Sequence, residues 1–517
     1  MPSKAAGGAA PPIFLATLYY LLQPALKPVL KKTMRRNRWV WCRLQGLRDR
    51  AVQAPPPAVG LEAPFVRRIY AGVFYLFGPS LPWLLKRTVG RNSRTWGGLR
   101  VLHQRLMHGS RRAVEPAALA AADGRASAFG VNVVGYLSSE TGTGEVARTA
   151  VRLLRAANIP CVLNNVIGPS APLEDSASSD FSEENPYVLN LVYVNPDQAA
   201  NFAWEKGQAY FGGRYNIGVW NWEVSDFPPE WLPRFRYYDE IWAPTRFVAD
   251  AFSRVSPAPV IRIPYAVDPQ PRVSKDFDRS RLGVAPGVFF FLYIFDFQSI
   301  FERKNPLGLI EAFKRGFGSD QSAVLIVKSS NADRQAVRMM REAAGPANVK
   351  IVDAVLPREA LNALYYLCDC YVSLHRAEGF ALTPAEAMCA GKPVIATAYG
   401  GNTDFMTPEN SYLVNYRLQE LERDYGPYKK GWTWADPDLD EAAALMRRVF
   451  ERRDEAEATG RRAREDILRL LHPAVVGGLM KERLLTIADS QGIGVPAPTA
   501  APGRAAIGPA RGSTSPG

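Results

Sequence analysis

The stretch HRAEGFALTPAEAM, residues 375–388, contains two carboxylates eight positions apart, Glu378 and Glu386. Glu378 leaves a predicted strand just before a Gly-Phe turn, where it has no capping role, and a carboxylate there can accept hydrogen bonds from vicinal hydroxyls. Glu386 follows Thr383-Pro384, and this spacing predicts a helix with Thr as the N-cap and a capping box. The same helix start would present free N–H groups to an anion such as a diphosphate, so both interpretations of Glu386 stay open.

Two cations, Arg303 and Lys304, lie between a predicted strand and a predicted helix in the segment FDFQSIFERKNP. Two carboxylates beside an anion pocket would repel a diphosphate, and these cations could offset that repulsion. The alternative is a solvated charge pair at the start of a helix. His375, three residues before Glu378, is either a hydrogen-bonded loop histidine or a contact to the ligand.

The hydrophobic pattern predicts two consecutive series of alternating strands and helices. The first has strands near 130–137, 187–194, 215–222, 240–243 and 260–263, with helices at 146–157 and 246–253. The second has strands near 288–295, 323–327, 350–352, 370–374 and 393–396, with helices at 306–315, 332–343, 358–367, 384–390 and through 439–485. Two such series predict an α/β protein with two Rossmann-like domains facing a cleft, and with ligands at the carboxyl ends of the strands.

A glycine-containing turn, with Gly142 and Gly144, follows the first predicted strand and precedes a helix. These glycines would let the backbone approach a ligand beside the helix N-terminus. The third glycine of the dinucleotide fingerprint is missing, so the turn does not indicate NAD binding.

The basic charge of the chain is concentrated at its N-terminus. The formal net charge is +13, but Lys and Arg outnumber Asp and Glu by 20 to 3 in residues 1–120, whereas residues 121–517 carry 43 basic and 47 acidic side chains. Apolar runs at 13–22 and 69–85 lead into the basic clusters, and they are too short or too proline-broken for a transmembrane helix. The pattern favours binding of residues 1–112 to an anionic membrane surface, with a docked helical extension as the alternative. Nucleic-acid binding is disfavoured because no binding motif accompanies the charge.

The domain organisation follows from these changes of character along the 517 residues. We predict a basic, partly apolar region at 1–127, an acceptor-side Rossmann-like domain at 128–275, a donor-side Rossmann-like domain with closing helices at 276–488 and a disordered tail at 489–517. Five scattered cysteines suit a reducing cytosol rather than a disulfide framework. The expected location is therefore cytoplasmic, peripheral on the inner face of the membrane.

Taken together, these segments resemble the retaining glycosyltransferases of family 4, which have the two-domain GT-B fold. The resemblance rests on Glu378 and Glu386 with seven residues between them, and on the Gly-Phe-Ala-Leu-Thr run at 379–383 within that interval. It covers about residues 128–480 and leaves the basic N-terminus outside. Supporting segments are RKNP at 303–306, GKPVIA at 391–396, GGN at 400–402, and the first-domain stretches at 130–145 and 217–223.

The resemblance implies a nucleotide diphosphate sugar as co-substrate, with no further cofactor and no metal. By this resemblance Glu378 would contact the donor sugar, Glu386 the ribose hydroxyls, and Arg303 with Lys304 the diphosphate. Many family members carry a first-domain His that touches the sugar, but residues 128–280 contain none, so Glu223 and His375 are the candidates for that contact. The remaining donor-binding residues implied are Gly379, Phe380, Ala381, Leu382, Thr383, Gly142 and Gly144.

The implied function is a retaining, metal-independent hexosyltransferase that moves a sugar to a glycan or lipid-linked acceptor in polysaccharide or glycolipid biosynthesis. Its chemistry is physically consistent with the site, since preorganised cations and N–H dipoles stabilise charge on the leaving phosphate oxygen. The competing hypothesis keeps the fold and drops catalysis, which leaves a membrane-anchored scaffold that binds nucleotide sugars.

Overall fold

The computed structural model describes residues 128–139, 141–166, 180–332 and 334–495. The predictions for the basic region at 1–127, and those for residues 496–517 of the tail, lie outside these residues. Among the helices that are described, none is both long enough and apolar enough to cross a membrane.

The first half of the described chain is a six-stranded parallel sheet with strand order β2-β1-β3-β4-β5-β6. Most apolar side chains of β1 and β3 are buried because helices cover both faces of the sheet. The strands are β1 (Ala128–Gly135), β2 (Cys161–Asn165), β3 (Tyr187–Tyr193), β4 (Tyr215–Val219), β5 (Glu240–Ala243) and β6 (Val260–Arg262). The helices are α1 (Gly142–Ala156), α2 (Pro196–Lys206), α3 (Gln208–Phe211) and α4 (Arg246–Ser253), with a 3-10 stretch at Pro229–Tyr237.

The second half is another six-stranded parallel sheet, with order β12-β11-β10-β7-β8-β9. Its strands are β7 (Phe289–Asp296), β8 (Ala323–Ser330), β9 (Val349–Asp353), β10 (Cys370–Ser373), β11 (Val394–Thr397) and β12 (Tyr412–Val414). Its helices are α5 (Phe301–Lys304), α6 (Pro306–Phe317), α7 (Arg334–Ala344), α8 (Arg358–Leu367) and α9 (Leu382–Cys389), with 3-10 stretches at Ser280–Leu282 and Gly401–Asp404. The two parallel sheets confirm the predicted α/β architecture.

An antiparallel pair and three helices complete the chain: β13 (Tyr416–Glu420), β14 (Thr433–Pro437), α10 (Leu439–Glu451), α11 (Arg453–Leu471) and α12 (Pro473–Ser490). The last helix returns to the first half, where Val476, Met480 and Leu484 share an apolar core with Leu153 of α1. The helix runs to Ser490, past the predicted boundary at 488. The last helix therefore belongs to the core of the first half, although it follows the second half along the chain.

Candidate active site

The candidate site lies where loops from the carboxyl ends of both sheets meet. Arg303 and Lys304 follow β7, and their turn is fastened to the end of β10. The side-chain amide of Asn305 donates to the Leu374 carbonyl at 2.8 Å, and the Arg376 amide donates to the Arg303 carbonyl at 2.8 Å. Asn305 takes a left-handed conformation, φ 52°, and caps α6, so the turn between two helices points both cations at the loop after β10.

Glu378 is held between these two cations. Lys304 Nζ donates to Glu378 Oε1, and Arg303 Nη1 lies 3.2 Å from the same oxygen. Burial alone would raise the pKa of Glu378, but Lys304 and then Arg303 outweigh it and lower the pKa to about 2. The cluster thus contains one ionised acid and two cations, at most 17% exposed, at the carboxyl edge of the second sheet.

The loop after Glu378 is packed backbone against backbone. The Gly401 amide donates to the Glu378 carbonyl at 2.8 Å, and the Thr245 hydroxyl, from the first half, donates to the Gly379 carbonyl at 2.7 Å. A Cβ on Gly379 would stand 2.3 Å from Asn221 Oδ1 and 2.4 Å from the Trp222 carbonyl. Glycine at 379 therefore lets the two halves of the protein touch beside Glu378.

Replacement of Gly401 with alanine is expected to distort this loop. Its Cβ would lie 1.9 Å from the Gly379 carbonyl oxygen, a backbone atom that is already hydrogen-bonded and cannot easily retreat. We expect Gly401→Ala to reduce the free energy of unfolding by about 2 to 3 kcal/mol, measured by chemical denaturation. Gly478→Ala is the matched control, because that glycine lies exposed in α12 with open space around its Cβ position, and alanine there should stabilise by about 0.5 to 1 kcal/mol. Equal effects of the two changes would contradict the packing argument.

Helix α9 begins at Leu382, two residues earlier than predicted, with Ala381 as its N-cap in a left-handed conformation, φ 68°. The predicted capping box is wrong. Thr383 lies inside the helix and accepts a hydrogen bond from the Tyr371 hydroxyl at 2.8 Å, and Glu386 does not reach back to the cap. The first-turn amides, including those of Leu382 and Thr383, have no acceptor within the helix itself, as at any helix start.

Glu386 instead forms hydrogen bonds with two side chains of α8. Its carboxylate accepts hydrogen bonds from the Tyr365 hydroxyl at 2.7 Å and from Arg358 Nη2, and its side chain is 10% exposed. The pKa of Arg358 is raised, chiefly by Glu386 and in smaller part by Glu145 of α1. Arg358 therefore links the carboxylate of the second half electrostatically to the glycine turn of the first half.

The two glycines of that turn have different surroundings. The Gly144 amide donates to the Thr141 hydroxyl at 3.0 Å, and a Cβ on Gly144 would stand 2.6 Å from the carbonyls of Ser139 and Tyr136. A Cβ on Gly142 would meet no atom within 4 Å. Gly144 thus serves the packing of the turn, whereas Gly142 presents open backbone at the start of α1.

His375 is completely buried, and both its ring nitrogens are hydrogen-bonded within the protein. Nδ1 accepts from the Ser373 hydroxyl at 3.0 Å, and Nε2 faces the Tyr399 carbonyl at 3.1 Å and Asn402 Oδ1 at 3.2 Å. Because both oxygens are acceptors, the proton resides on Nε2, and burial lowers the pKa of the ring. These contacts correspond to the hydrogen-bonded loop histidine, and they do not support the predicted sugar contact.

Glu223 follows β4 and lies opposite the Arg303 cluster, where it contributes to the electrostatic environment of both Arg303 and Lys304. It accepts a hydrogen bond from the Tyr428 hydroxyl at 3.0 Å. Phe380, in the loop after β10, is buried with its ring 4.9 Å from that of Tyr265. The structure therefore brings Glu223 from the first half and Glu378 from the second half to one cluster.

Sequence reasoning missed three residues of the site: Arg358, Tyr365 and Tyr428. Arg358 and Tyr365 lie 28 and 21 positions before Glu386, and Tyr428 lies 205 positions after Glu223. No local pattern pairs residues at such separations. Within the described residues, no group of three or more His, Cys, Asp and Glu side chains is arranged to hold a metal ion.

Two parallel α/β halves with functional side chains at their facing carboxyl edges define the GT-B fold of glycosyltransferases. The fold is similar to sucrose-phosphate synthase from Thermosynechococcus elongatus (15% identity, 70% of this chain and 100% of that chain, TM-score 0.53). It is also similar to Anabaena HepE, solved in complex with UDP and glucose (15% identity, 69% of this chain and 100% of that chain, TM-score 0.51). A third similar structure is the trehalose 6-phosphate synthase of Burkholderia multivorans (12% identity, 70% of this chain and 100% of that chain, TM-score 0.50). At these identities the similarity establishes the fold.

Residues 275–466 match the family model described as glycosyl transferases group 1. The matched segment contains Arg303, Lys304, Glu378 and Glu386, and it spans the whole second sheet. No curated protein sequence matches the chain.

Proposed function

We propose that the protein is a retaining glycosyltransferase that moves a sugar from a nucleotide diphosphate sugar to a glycan or lipid-linked acceptor, in polysaccharide or glycolipid biosynthesis. The observation that carries the proposal is the cluster of Arg303, Lys304 and Glu378 at the carboxyl edge of the second sheet, beside the start of α9. The match of residues 275–466 to group 1 glycosyl transferases supports the reaction class.

The charges of this cluster suit a diphosphate next to a sugar. Arg303 and Lys304 provide two cations beside the carboxylate of Glu378, and α9 begins at the end of the same loop, where its first amides are free to bind an anion. Glu378 is ionised near neutral pH, because its pKa is about 2, so it acts as an acceptor for sugar hydroxyls and not as an acid. Glu386 would bind the ribose hydroxyls at the other end of the nucleotide.

The proposed reaction breaks the bond between sugar C1 and the phosphate oxygen and forms a bond between C1 and the acceptor oxygen on the same face. Negative charge grows on the departing phosphate oxygen, where Arg303, Lys304 and the α9 amides would stabilise it. That oxygen takes the proton of the acceptor hydroxyl, so atoms and charges balance without a protein nucleophile. In this scheme the residues bind, orient and stabilise, and no metal takes part.

We also propose that residues 1–112 hold the enzyme on the anionic inner face of the membrane, where a lipid-linked acceptor would be found. The support is the joint pattern of apolar runs and basic clusters in the sequence. A glycan acceptor would need no such anchoring, so the lipid-linked class is favoured by this feature.

A thermal-shift screen with UDP-glucose, GDP-mannose and ADP-glucose, followed by an assay for release of the nucleoside diphosphate, tests the proposal. A ligand at 100 times its Kd stabilises a protein by about 2.7 kcal/mol, so one nucleotide class should raise the Tm clearly. Turnover with retained anomeric configuration, followed by NMR, is the expected result. Binding without turnover, with or without lipid acceptors, would favour a nucleotide-sugar-binding scaffold. The absence of both binding and turnover would refute the proposed transferase function.

A further inference from the structure

Residues 416–437 form a hairpin arm, consisting of β13, β14 and the turn between them, that leaves the second half and packs on the first. Leu421, Tyr428 and Trp434 of the arm are at most 3% exposed and belong to an apolar cluster built mainly from the first half. The Ala435 amide donates to the Arg376 carbonyl at 2.9 Å, which fixes the returning strand to the loop that carries Glu378. The arm is thus attached to both sides of the candidate site.

Aromatic contacts hold the turn of the arm against Trp222, which follows β4. The ring of Trp222 lies 5.4 Å from Tyr428, 5.4 Å from Trp231 and 6.4 Å from Trp432. Such tilted and edge-on ring pairs each add about 0.5 to 1.5 kcal/mol beyond area burial, so the position of Tyr428 is well defined. Lys429, the next residue, also forms an ion pair with Glu230 at 3.2 Å.

The hydroxyl of Tyr428 reaches the charged cluster through Glu223, to which it donates a hydrogen bond at 3.0 Å. Burial, and then Glu223, keep the pKa of Tyr428 well above its ordinary value, so the phenol stays protonated and remains a donor. Arg303 interacts electrostatically with both Tyr428 and Glu223. This hydrogen bond therefore fixes one oxygen of the Glu223 carboxylate beside the charged cluster.

Two buried polar atoms beside the same cluster lack a hydrogen-bond partner among the described residues: Nε of Arg303, a donor, and Oδ1 of Asn221, an acceptor. Asn221 stands two residues before Glu223, and its side chain touches Gly379. Buried polar groups are rarely left without partners in native proteins, so this donor and this acceptor have the capacity to bind a polar ligand.

We propose that Tyr428 of the hairpin arm is a positioning residue, which holds Glu223 so that its carboxylate binds a hydroxyl of the transferred sugar. This inference rests on the proposed transferase function. A carboxylate has acceptor sites on both oxygens, so a hydrogen bond to one oxygen fixes the group and leaves capacity for a sugar hydroxyl. Tyr428 therefore acts on the sugar through Glu223 and does not contribute to binding of the nucleotide.

The test measures nucleoside diphosphate release from the nucleotide sugar that the wild type turns over among UDP-glucose, GDP-mannose and ADP-glucose. Tyr428→Phe removes the donor and keeps the ring, and kcat/KM should fall by about 10- to 100-fold while the Kd of the free nucleoside diphosphate stays unchanged. Tyr425→Phe is the matched control on the same turn; its ring packs on Trp434 and it should behave as the wild type. Glu223→Gln alone and combined with Tyr428→Phe completes a double-mutant cycle.

In the expected result, the double variant loses no more activity than Glu223→Gln alone, because Tyr428 acts only through that carboxylate. Additive losses would overturn the positioning role, as would wild-type activity of Tyr428→Phe. Equal losses of kcat/KM in Tyr428→Phe and Tyr425→Phe, together with lower Tm values, would show that the arm has a structural role alone. That result would also overturn the positioning role of Tyr428. A wild type that neither binds nor turns over any of the three donors would refute the proposed function itself, and the inference with it.

Discussion

Lys304→Met is expected to lower the rate of nucleoside diphosphate release from the active donor by about two to three orders of magnitude. Lys304 Nζ is held against Glu378 beside Arg303, and its side chain is only 17% exposed. A cation fixed in such a poorly hydrated place stabilises charge on a departing phosphate without reorganising, which is why its removal costs far more than loss of a surface charge. Methionine retains the apolar stem of lysine, so packing around the stem is preserved.

Binding should change in a pattern that identifies the group that Lys304 contacts. The wild type is expected to bind the nucleoside diphosphate more tightly than the corresponding monophosphate, and Lys304→Met should lose most of that preference. Lys314→Met is the matched control, because Lys314 on α6 is 35% exposed and, among the described residues, its ion pair is with Glu311 of its own helix. A Lys304→Met enzyme that keeps the diphosphate preference and turns over within about threefold of the wild type would exclude Lys304 from the phosphate site.

The fold could be predicted where the hydrophobic pattern was unambiguous. All residues of β7 except Asp296 are buried, since helices cover both faces of the sheet, and such a strand appears in the sequence as a continuous apolar run. The short strand β2, Cys161–Asn165, is only partly buried and ends in two asparagines, and it was missed. The hairpin arm was also missed, since its aromatic residues alternate with charged ones and become buried only against the first half.

The site could be predicted only in its local parts. The sequence indicates Glu378, Arg303 and Lys304 because each follows a predicted strand, and the structure brings them together. The predicted capping box is wrong, although its spacing is also a local signal. Thr383 is hydrogen-bonded to the Tyr371 hydroxyl and Glu386 to side chains of α8, and the sequence does not reveal these partners. Tertiary contacts thus decided between two locally acceptable arrangements.

Glu386→Ala is expected to weaken binding of the free nucleoside diphosphate by about 100-fold, measured by calorimetry. If the carboxylate accepts hydrogen bonds from two ribose hydroxyls, each bond to a charged acceptor contributes a net stabilisation of about 1.5 kcal/mol, and the loss of both costs about 3 kcal/mol. The change also deprives Arg358 and the Tyr365 hydroxyl of their acceptor. Glu342→Ala, an exposed glutamate on α7, is the matched control and should bind the nucleotide as the wild type does.

A comparison of ribonucleotide with 2′-deoxyribonucleotide separates a direct contact from a structural effect. The wild type should bind the 2′-deoxy ligand about 10-fold more weakly, because one hydrogen bond to Glu386 is lost. Glu386→Ala should bind both ligands equally, since the acceptor that distinguishes them is gone, whereas a variant that is merely distorted would bind both weakly and still prefer the ribonucleotide. Retained preference in Glu386→Ala would therefore assign Glu386 to holding Arg358 and Tyr365, and the ribose contact would have to come from another residue.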